Sequence, residues 1–162
     1  MSELRIPLKD PAETVRLGTL IAPLLAPGDT ILLNGELGAG KTTLARAIGE
    51  ALEADPPLAS PTFVLASEHS GRLPITHIDA YRLSAESDPV ALGLIGPRND
   101  IGVTIVEWAE RLHWDPGDTA LHVDLRVDGD EREASLRTSS EDRIAALAKR
   151  AAAAGLGVRR DG

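Results

Sequence analysis

The feature that most constrains the fold of this chain is a phosphate-loop motif near its N-terminus. Residues 35–42 read GELGAGKT, which matches the pattern G-x-x-x-x-G-K-[ST] at every fixed position. The apolar residues 30–34 before the motif predict a buried strand, and residues 43–48 after it place apolar side chains on one helical face. This order lets backbone N–H groups and a helix N-terminus surround phosphate oxygens. The motif therefore predicts a nucleoside triphosphate site.

Lys41 and Thr42 end the motif and provide its charged and metal-binding groups. We expect the Lys41 ammonium to neutralise the β- and γ-phosphates and the Thr42 hydroxyl to bind Mg²⁺. A phosphate loop also needs a second acid on a neighbouring strand to hold the Mg²⁺ shell. Asp79 and Glu107 each end a predicted strand, and ligands of open α/β sheets collect at the carboxyl ends of strands. Both acids are candidates, and the residues leave open which of them positions the attacking water.

Three further features lie near these acids in the sequence. Residues 60–62, Ser-Pro-Thr, could bring the Thr62 hydroxyl to the metal or γ-phosphate, or could form a proline-stiffened turn. His77 is interpreted as a packed strand residue, and His113 and His122 lack a partner at the spacing of zinc ligands, so we expect no zinc site. Trp108 follows a candidate acid and could flank a nucleotide or belong to the core.

Length and composition bound the class of protein. The chain has 162 residues, 43% of them hydrophobic and none of them cysteine. That length suits a single domain at about 100–200 residues per domain, which we place at residues 1–154, with a flexible tail at residues 155–162. The lack of cysteine excludes disulfides and thiolate metal sites. No apolar run approaches the roughly 18 residues that span a bilayer, so we expect a cytoplasmic protein without a membrane partner.

The order of elements predicts an α/β protein with a three-layer P-loop NTPase-like fold. Its sheet is expected to be mixed and partly parallel, with a C-terminal antiparallel hairpin formed by the alternating residues 121–127 and 133–137. Asp10 before Pro11 is typical of a helix N-cap and predicts a helix to about residue 25. Further predictions are listed together: an edge strand at residues 4–8, a short helix around residues 90–92 and a final helix at residues 141–154.

The motifs together resemble one family. The phosphate loop is followed by Ser-Pro-Thr-Phe at residues 60–63, by the pattern H-x-D-x-Y-R at residues 77–82 and by Val-Glu-Trp at residues 106–108. This combination resembles the TsaE family, also called YjeE, over most of the chain. The resemblance implies a small P-loop ATPase that joins TsaB and TsaD in making threonylcarbamoyladenosine on bacterial tRNA.

The resemblance also implies roles for particular residues. It implies Mg²⁺ binding by Thr42 and Glu107, an essential role for Asp79 and a switch-like role for Thr62. It implies that the ATP or ADP is held by the following residues: Pro11 and Thr14 at the adenine, Gly38, Ala39, Gly40, Lys41, Thr42 and Thr43 at the phosphates, and Trp108 and Arg132 beside the nucleotide.

Charge and motif content leave alternatives open. With 25 acidic and 17 basic residues the net charge is −8, so we expect tRNA binding only through a complex, because basic surfaces drive nucleic-acid binding. A small-molecule kinase could use the same phosphate loop, with Arg82 and Arg98 over the transferred phosphate. A third alternative is a nucleotide-gated assembly factor, in which ATP binding changes a surface and hydrolysis only resets it. This hypothesis overlaps with the function that the TsaE resemblance implies.

Overall fold

The computed structural model describes residues 1–59, 65–84 and 86–161, which form a single eight-stranded sheet with helices packed against it. In chain order the elements are β1 (Ser2–Leu8), α1 (Pro11–Ile21), β2 (Thr30–Gly35), α2 (Lys41–Ala51), β3 (Ala66–His69), β4 (Ile75–Asp79), α3 (Pro97–Ile101), β5 (Val103–Glu107), β6 (Leu121–Asp128), β7 (Glu131–Thr138), α4 (Glu141–Ala153) and β8 (Arg159–Asp161). Short 3₁₀ turns follow α1 at Ala22–Leu24 and β5 at Ala109–Arg111.

The strand order in the sheet is β3-β4-β5-β2-β6-β7-β1-β8. Strands β4, β5, β2 and β6 run parallel to one another, whereas β3 pairs antiparallel with β4, β7 with β6, and β1 with both β7 and β8. This arrangement confirms the predicted mixed, partly parallel sheet and its C-terminal hairpin. It also brings the carboxyl ends of β2, β4 and β5 to the same end of the sheet, where the phosphate-loop motif begins.

The sheet buries apolar side chains on both faces. Helices α1, α2 and α4 cover one face, over a core that includes Leu17, Leu44 and Leu147. A smaller cluster on the other face packs Leu32, Ile78 and Val106 against the segments before and after β5. None of the helices in the described ranges is long and apolar enough to cross a membrane.

The helix ends follow the local sequence signals. Asp10 caps α1, since its side chain accepts a hydrogen bond from the Glu13 N–H at 2.9 Å, and the Glu13 side chain accepts one from the Lys9 N–H at 2.7 Å. Ser140 caps α4 by accepting a hydrogen bond from the Arg143 N–H. Each cap satisfies an N–H group that the first helical turn leaves unpaired.

Three local predictions differ from the structure. The first strand is not at an edge, because β8 pairs with Glu3–Arg5; Pro7, which cannot donate to a ladder, lies beyond that pairing. The predicted flexible tail therefore contains a strand, at Arg159–Asp161. The segment around residues 90–92 forms turns instead of a helix, and the helix of this region is α3, which begins at Pro97.

Candidate functional site

The loop between β2 and α2 has a backbone that only glycine accepts at several points. Gly38 and Gly40 have φ angles of 82° and 108°, in the left-handed region. Gly35 has φ 148°, and a Cβ there would lie 2.6 Å from the Leu125 carbonyl oxygen. Helix α2 begins at Lys41, immediately after the loop, so its unpaired N–H groups point towards it. The loop thus has the geometry of an anion-binding turn.

The Lys41 side chain folds back over this loop. Its ammonium donates hydrogen bonds to the carbonyls of Gly35 and Glu36, the latter at 2.9 Å, and lies 3.8 Å from the centre of the Trp108 ring. Lys41 is only 5% exposed, and this burial lowers the pKa of its ammonium. Four nearby carboxylates have the opposite effect and raise this pKa: those of Glu110, Glu107, Asp79 and Glu36. The positive charge is therefore held where acidic groups converge.

Glu107 connects the loop to the neighbouring strands. The Thr42 hydroxyl donates to Glu107 Oε1 at 2.8 Å, and His77 Nε2 lies 2.6 Å from Glu107 Oε2. Both Glu107 and His77 are buried. The interpretation of His77 as a packed strand residue is confirmed, but its contact with the acid was not predicted. The alternation of β4 and β5 turns both side chains towards α2, and this is the only sequence signal for the contact.

Asp79 ends β4 at the level of Glu107, its partner in the parallel register. Its Oδ1 accepts a hydrogen bond from the Tyr81 N–H at 2.9 Å, which closes a tight turn after the strand. The structure thus brings both predicted acids to the carboxyl ends of the parallel strands. Glu107 lies on the strand next to β2, and Asp79 lies one strand further away.

Trp108 packs in an aromatic cluster beside Lys41. Its backbone is left-handed, with φ 58° and ψ 40°, and its N–H donates to the Leu33 carbonyl at 3.0 Å. Its ring centre lies 5.0 Å from that of Tyr81. The Arg111 guanidinium lies 4.8 Å from the Tyr81 ring centre and 5.5 Å from that of Trp108. Sequence reasoning missed Tyr81 and Arg111 as members of this cluster.

The remaining predicted residues are distributed around the loop. Arg132, from the β6–β7 hairpin, donates to the Gly38 carbonyl at 3.3 Å. Thr14 of α1 is buried, with its methyl group 3.7 Å from where a Cβ on Gly40 would stand. Pro11 begins the same helix at its exposed end. Thr43 follows Thr42 in the first turn of α2, and Ala39 is a buried residue of the loop itself. Thr62 lies outside the described residues.

Comparison with known proteins covers the region that contains all of these contacts. The family model described as threonylcarbamoyl adenosine biosynthesis protein TsaE matches residues 8–135. The tRNA threonylcarbamoyladenosine biosynthesis protein TsaE of Nostoc is 40% identical over 132 residues, which are 78% of this chain and 80% of that protein. The Bacillus subtilis protein of the same name is 37% identical over 82% of this chain and 84% of its own length.

A solved structure extends the comparison to the fold. The crystal structure of Bacillus subtilis YdiB superposes with a TM-score of 0.71 at 28% identity. The superposition covers 95% of this chain and 98% of that one. The fold described above is therefore shared along nearly the whole chain.

Proposed function

The chain belongs to the TsaE family, and on this basis we propose that it is an Mg²⁺-dependent ATPase acting in tRNA threonylcarbamoyladenosine biosynthesis. The name of the family supports the proposed role in tRNA threonylcarbamoyladenosine biosynthesis. The observation that supports the ATPase activity is the hydrogen bond from the Thr42 hydroxyl to the buried Glu107 carboxylate, at the end of a complete phosphate loop. A loop that merely joined strand to helix would not need a buried acid on this hydroxyl.

The phosphates of ATP or ADP are proposed to lie in the loop. Backbone N–H groups from Gly38 to Thr43 and the N-terminus of α2 would surround their oxygens. Lys41 would exchange its two carbonyl contacts for the β- and γ-phosphates. The carboxylates around Lys41 raise the pKa of its ammonium and so oppose the lowering that burial causes.

Thr42 and Glu107 fit the proposed Mg²⁺ site. Mg²⁺ is commonly held by one or two protein oxygens, substrate phosphates and several waters. With its proton directed to Glu107, the Thr42 oxygen has its lone pairs free for a cation. When bound there, Mg²⁺ would neutralise charge that develops on the β- and γ-phosphates. Asp79 lies at the same end of the sheet, but its carboxylate accepts a hydrogen bond from the Tyr81 backbone. We propose that it orients the attacking water or couples to a switch segment.

The rest of the nucleotide is proposed to lie between α1 and the hairpin. Pro11 and Thr14 would contact the adenine, because α1 runs past Gly40. The hydrogen bond from Arg132 to the Gly38 carbonyl and the contact between Trp108 and Lys41 support the proposal that both residues flank the bound nucleotide. Thr62 is proposed as the switch residue that senses the γ-phosphate.

TsaB and TsaD are proposed as the partners, with tRNA engaged only through the complex. The net charge of −8 supports this, since an acidic domain lacks the counterion release that drives tRNA binding. Filter binding of tRNA to the isolated chain at physiological salt should therefore be negligible, and should appear when TsaB and TsaD are added. Salt-sensitive binding without partners would contradict this part of the proposal.

The central experiment measures ATP affinity by calorimetry in Lys41→Ala. Charge-assisted hydrogen bonds contribute about 1.5–3 kcal/mol, so affinity should fall about tenfold or more. Lys149→Ala, which removes an exposed lysine of α4, is the charge-matched control. Unchanged affinity in Lys41→Ala would mean that the loop is not the phosphate site.

A second assay addresses the reaction. ATP turnover should be low for the chain alone and should rise with TsaB and TsaD, with water as the acceptor. Turnover that requires an added hydroxyl compound would favour the small-molecule kinase instead.

A further inference from the structure

His77 is fully buried on β4 and has a single hydrogen-bond partner among the described residues, Glu107. Its Nε2 lies 2.6 Å from Glu107 Oε2, and its Nδ1 is buried without a hydrogen-bond partner in the part of the chain that the structure describes. A histidine that served only to fill the core would not need a short contact to a buried carboxylate. The contact therefore indicates that His77 acts on Glu107.

The unpaired Nδ1 decides the tautomer of His77. With the proton on Nε2, the ring donates to the Glu107 carboxylate, and the buried Nδ1 is a bare acceptor. With the proton on Nδ1, a buried N–H would have no acceptor and Oε2 would have no donor. Buried donors left unpaired are rarer in proteins than under-used acceptors. The Nε2–H tautomer is thus the one that satisfies the pair.

The donor on Oε2 also controls the other carboxylate oxygen. Glu107 is 2% exposed, and among the described residues its carboxylate is held by two donors, the Thr42 hydroxyl and the His77 Nε2–H. If the donor from His77 were lost, the plane could rotate towards another donor, and Oε1 would move away from Thr42. The Thr42 hydroxyl would then lose the acceptor that orients its proton, and the lone pairs of its oxygen would no longer be fixed towards the loop.

From this arrangement we propose that His77 is a positioning residue that holds Glu107 against Thr42 and so sets the affinity of the site for Mg²⁺. This inference rests on the proposed function, because it assumes that Thr42 and Glu107 serve the cation. Partners of this kind, which orient a metal-binding group without touching the metal, commonly contribute about 10- to 100-fold in metal affinity or activity.

The experiment compares two amide variants that differ in reach. The side-chain nitrogen of His77→Gln stands as many bonds from Cβ as Nε2, whereas that of His77→Asn stands at the position of Nδ1. ATP affinity is measured by calorimetry in EDTA and across a Mg²⁺ titration, with thermal unfolding as the test of folding. His77→Asn should raise the half-saturating Mg²⁺ concentration about tenfold or more, with ATP affinity in EDTA unchanged. His77→Gln should recover most of the wild-type Mg²⁺ dependence.

A measurement on the unaltered chain avoids reliance on folding of the variants. Imidazole ¹⁵N NMR should show the His77 proton on Nε2, with a resonance that shifts when Mg²⁺ and ATP are added together but not with ATP alone. A proton on Nδ1, or equal Mg²⁺ dependence in His77→Asn, His77→Gln and the wild type, would overturn the positioning role. A wild-type chain whose ATP binding ignores Mg²⁺ altogether would instead overturn the proposed function.

Discussion

The two halves of the sheet have different relations to solvent. In the parallel half, β4 and β5 are buried along nearly their whole length on both faces. The antiparallel half runs from β6 to β8, whose pairings with one another are all antiparallel. There β1 and β6 alternate between buried and partly exposed residues, with one face on the core and the other towards water. This is the difference expected between a sheet covered on both faces and one covered on one face.

The difference explains which polar side chains are enclosed. In the parallel half the polar side chains of His77 and Glu107 are enclosed, so each must find a partner, and they find each other. In the antiparallel half Asp124 and Arg137 form an ion pair at 2.9 Å, with 31% and 40% of their side chains exposed. Exposed pairs of that kind contribute little to stability. The buried Glu107 carboxylate is therefore held in one orientation more tightly than the partly exposed carboxylate of Asp124.

The halves meet at β2 and β6, next to the phosphate loop. Asn34 Nδ2 donates to Asp124 Oδ1 at 3.1 Å, and Gly35 passes close to the Leu125 carbonyl. Further along the hairpin, Arg132 reaches back to the Gly38 carbonyl. The antiparallel half thus supports the loop from outside, while the parallel half supplies the acids.

The largest expected effect contrasts two carboxylates, one from each half. Glu107→Gln removes the charge that holds Thr42, and a lost hydrogen bond to a charged group is worth about 1.5–3 kcal/mol. Mg²⁺-dependent ATP binding should therefore weaken about tenfold or more. Asp124→Asn, the matched change in the exposed half, should leave it nearly unchanged. Calorimetry with and without Mg²⁺ makes the measurement, and equal effects of the two variants would remove the distinction between the halves.

Asp79→Asn sharpens the same contrast within the parallel half. Because Asp79 bonds to the Tyr81 backbone and not to Thr42, this variant should bind ATP normally while its turnover with the partner proteins falls. Normal turnover in both Asp79→Asn and Glu107→Gln would reject both roles.

An intermediate effect is expected at the junction between the halves. Gly35→Ala would place a methyl group 2.6 Å from the Leu125 carbonyl oxygen, in addition to the strain of φ 148°. Gly129→Ala, in the hairpin turn, has φ 61° and open space around it. Overpacking costs about 1–3 kcal/mol, so Gly35→Ala should be less stable than Gly129→Ala by about that amount in urea unfolding. Similar losses of stability in the two variants would show that the backbone at the junction shifts to accommodate the methyl group.

The smallest effect tests whether the antiparallel half contributes to binding at all. Arg132→Ala removes one hydrogen bond to the loop, and such bonds contribute about 0.5–1.5 kcal/mol. ATP affinity should fall about two- to tenfold, by less than in Lys41→Ala. Arg159→Ala removes an exposed arginine at the far edge of the same half and serves as the control. An affinity loss as large as that of Lys41→Ala would place Arg132 among the main phosphate contacts.

Much of the architecture could be predicted from local sequence signals. The phosphate loop, the Asp10 cap and the β6–β7 hairpin depend on residues close together in the chain, and each lies where the sequence placed it. The strand β8 was missed because three residues without an apolar pattern become a strand only through pairing with β1. The turns around residues 90–92 were mistaken for a helix because a few apolar residues resemble part of a helical face.

The sequence by itself determined that two acids stand at strand ends beside a phosphate loop, because a motif and a strand boundary are local properties. Only the tertiary structure decided that Glu107, and not Asp79, contacts Thr42. The strand order places β5 directly beside β2 and leaves β4 one strand further away, at a spacing of about 4.8 Å between strands. That order results from long-range pairing and packing, which no short segment of the chain encodes, and the same pairing gives Glu107 its contact with His77.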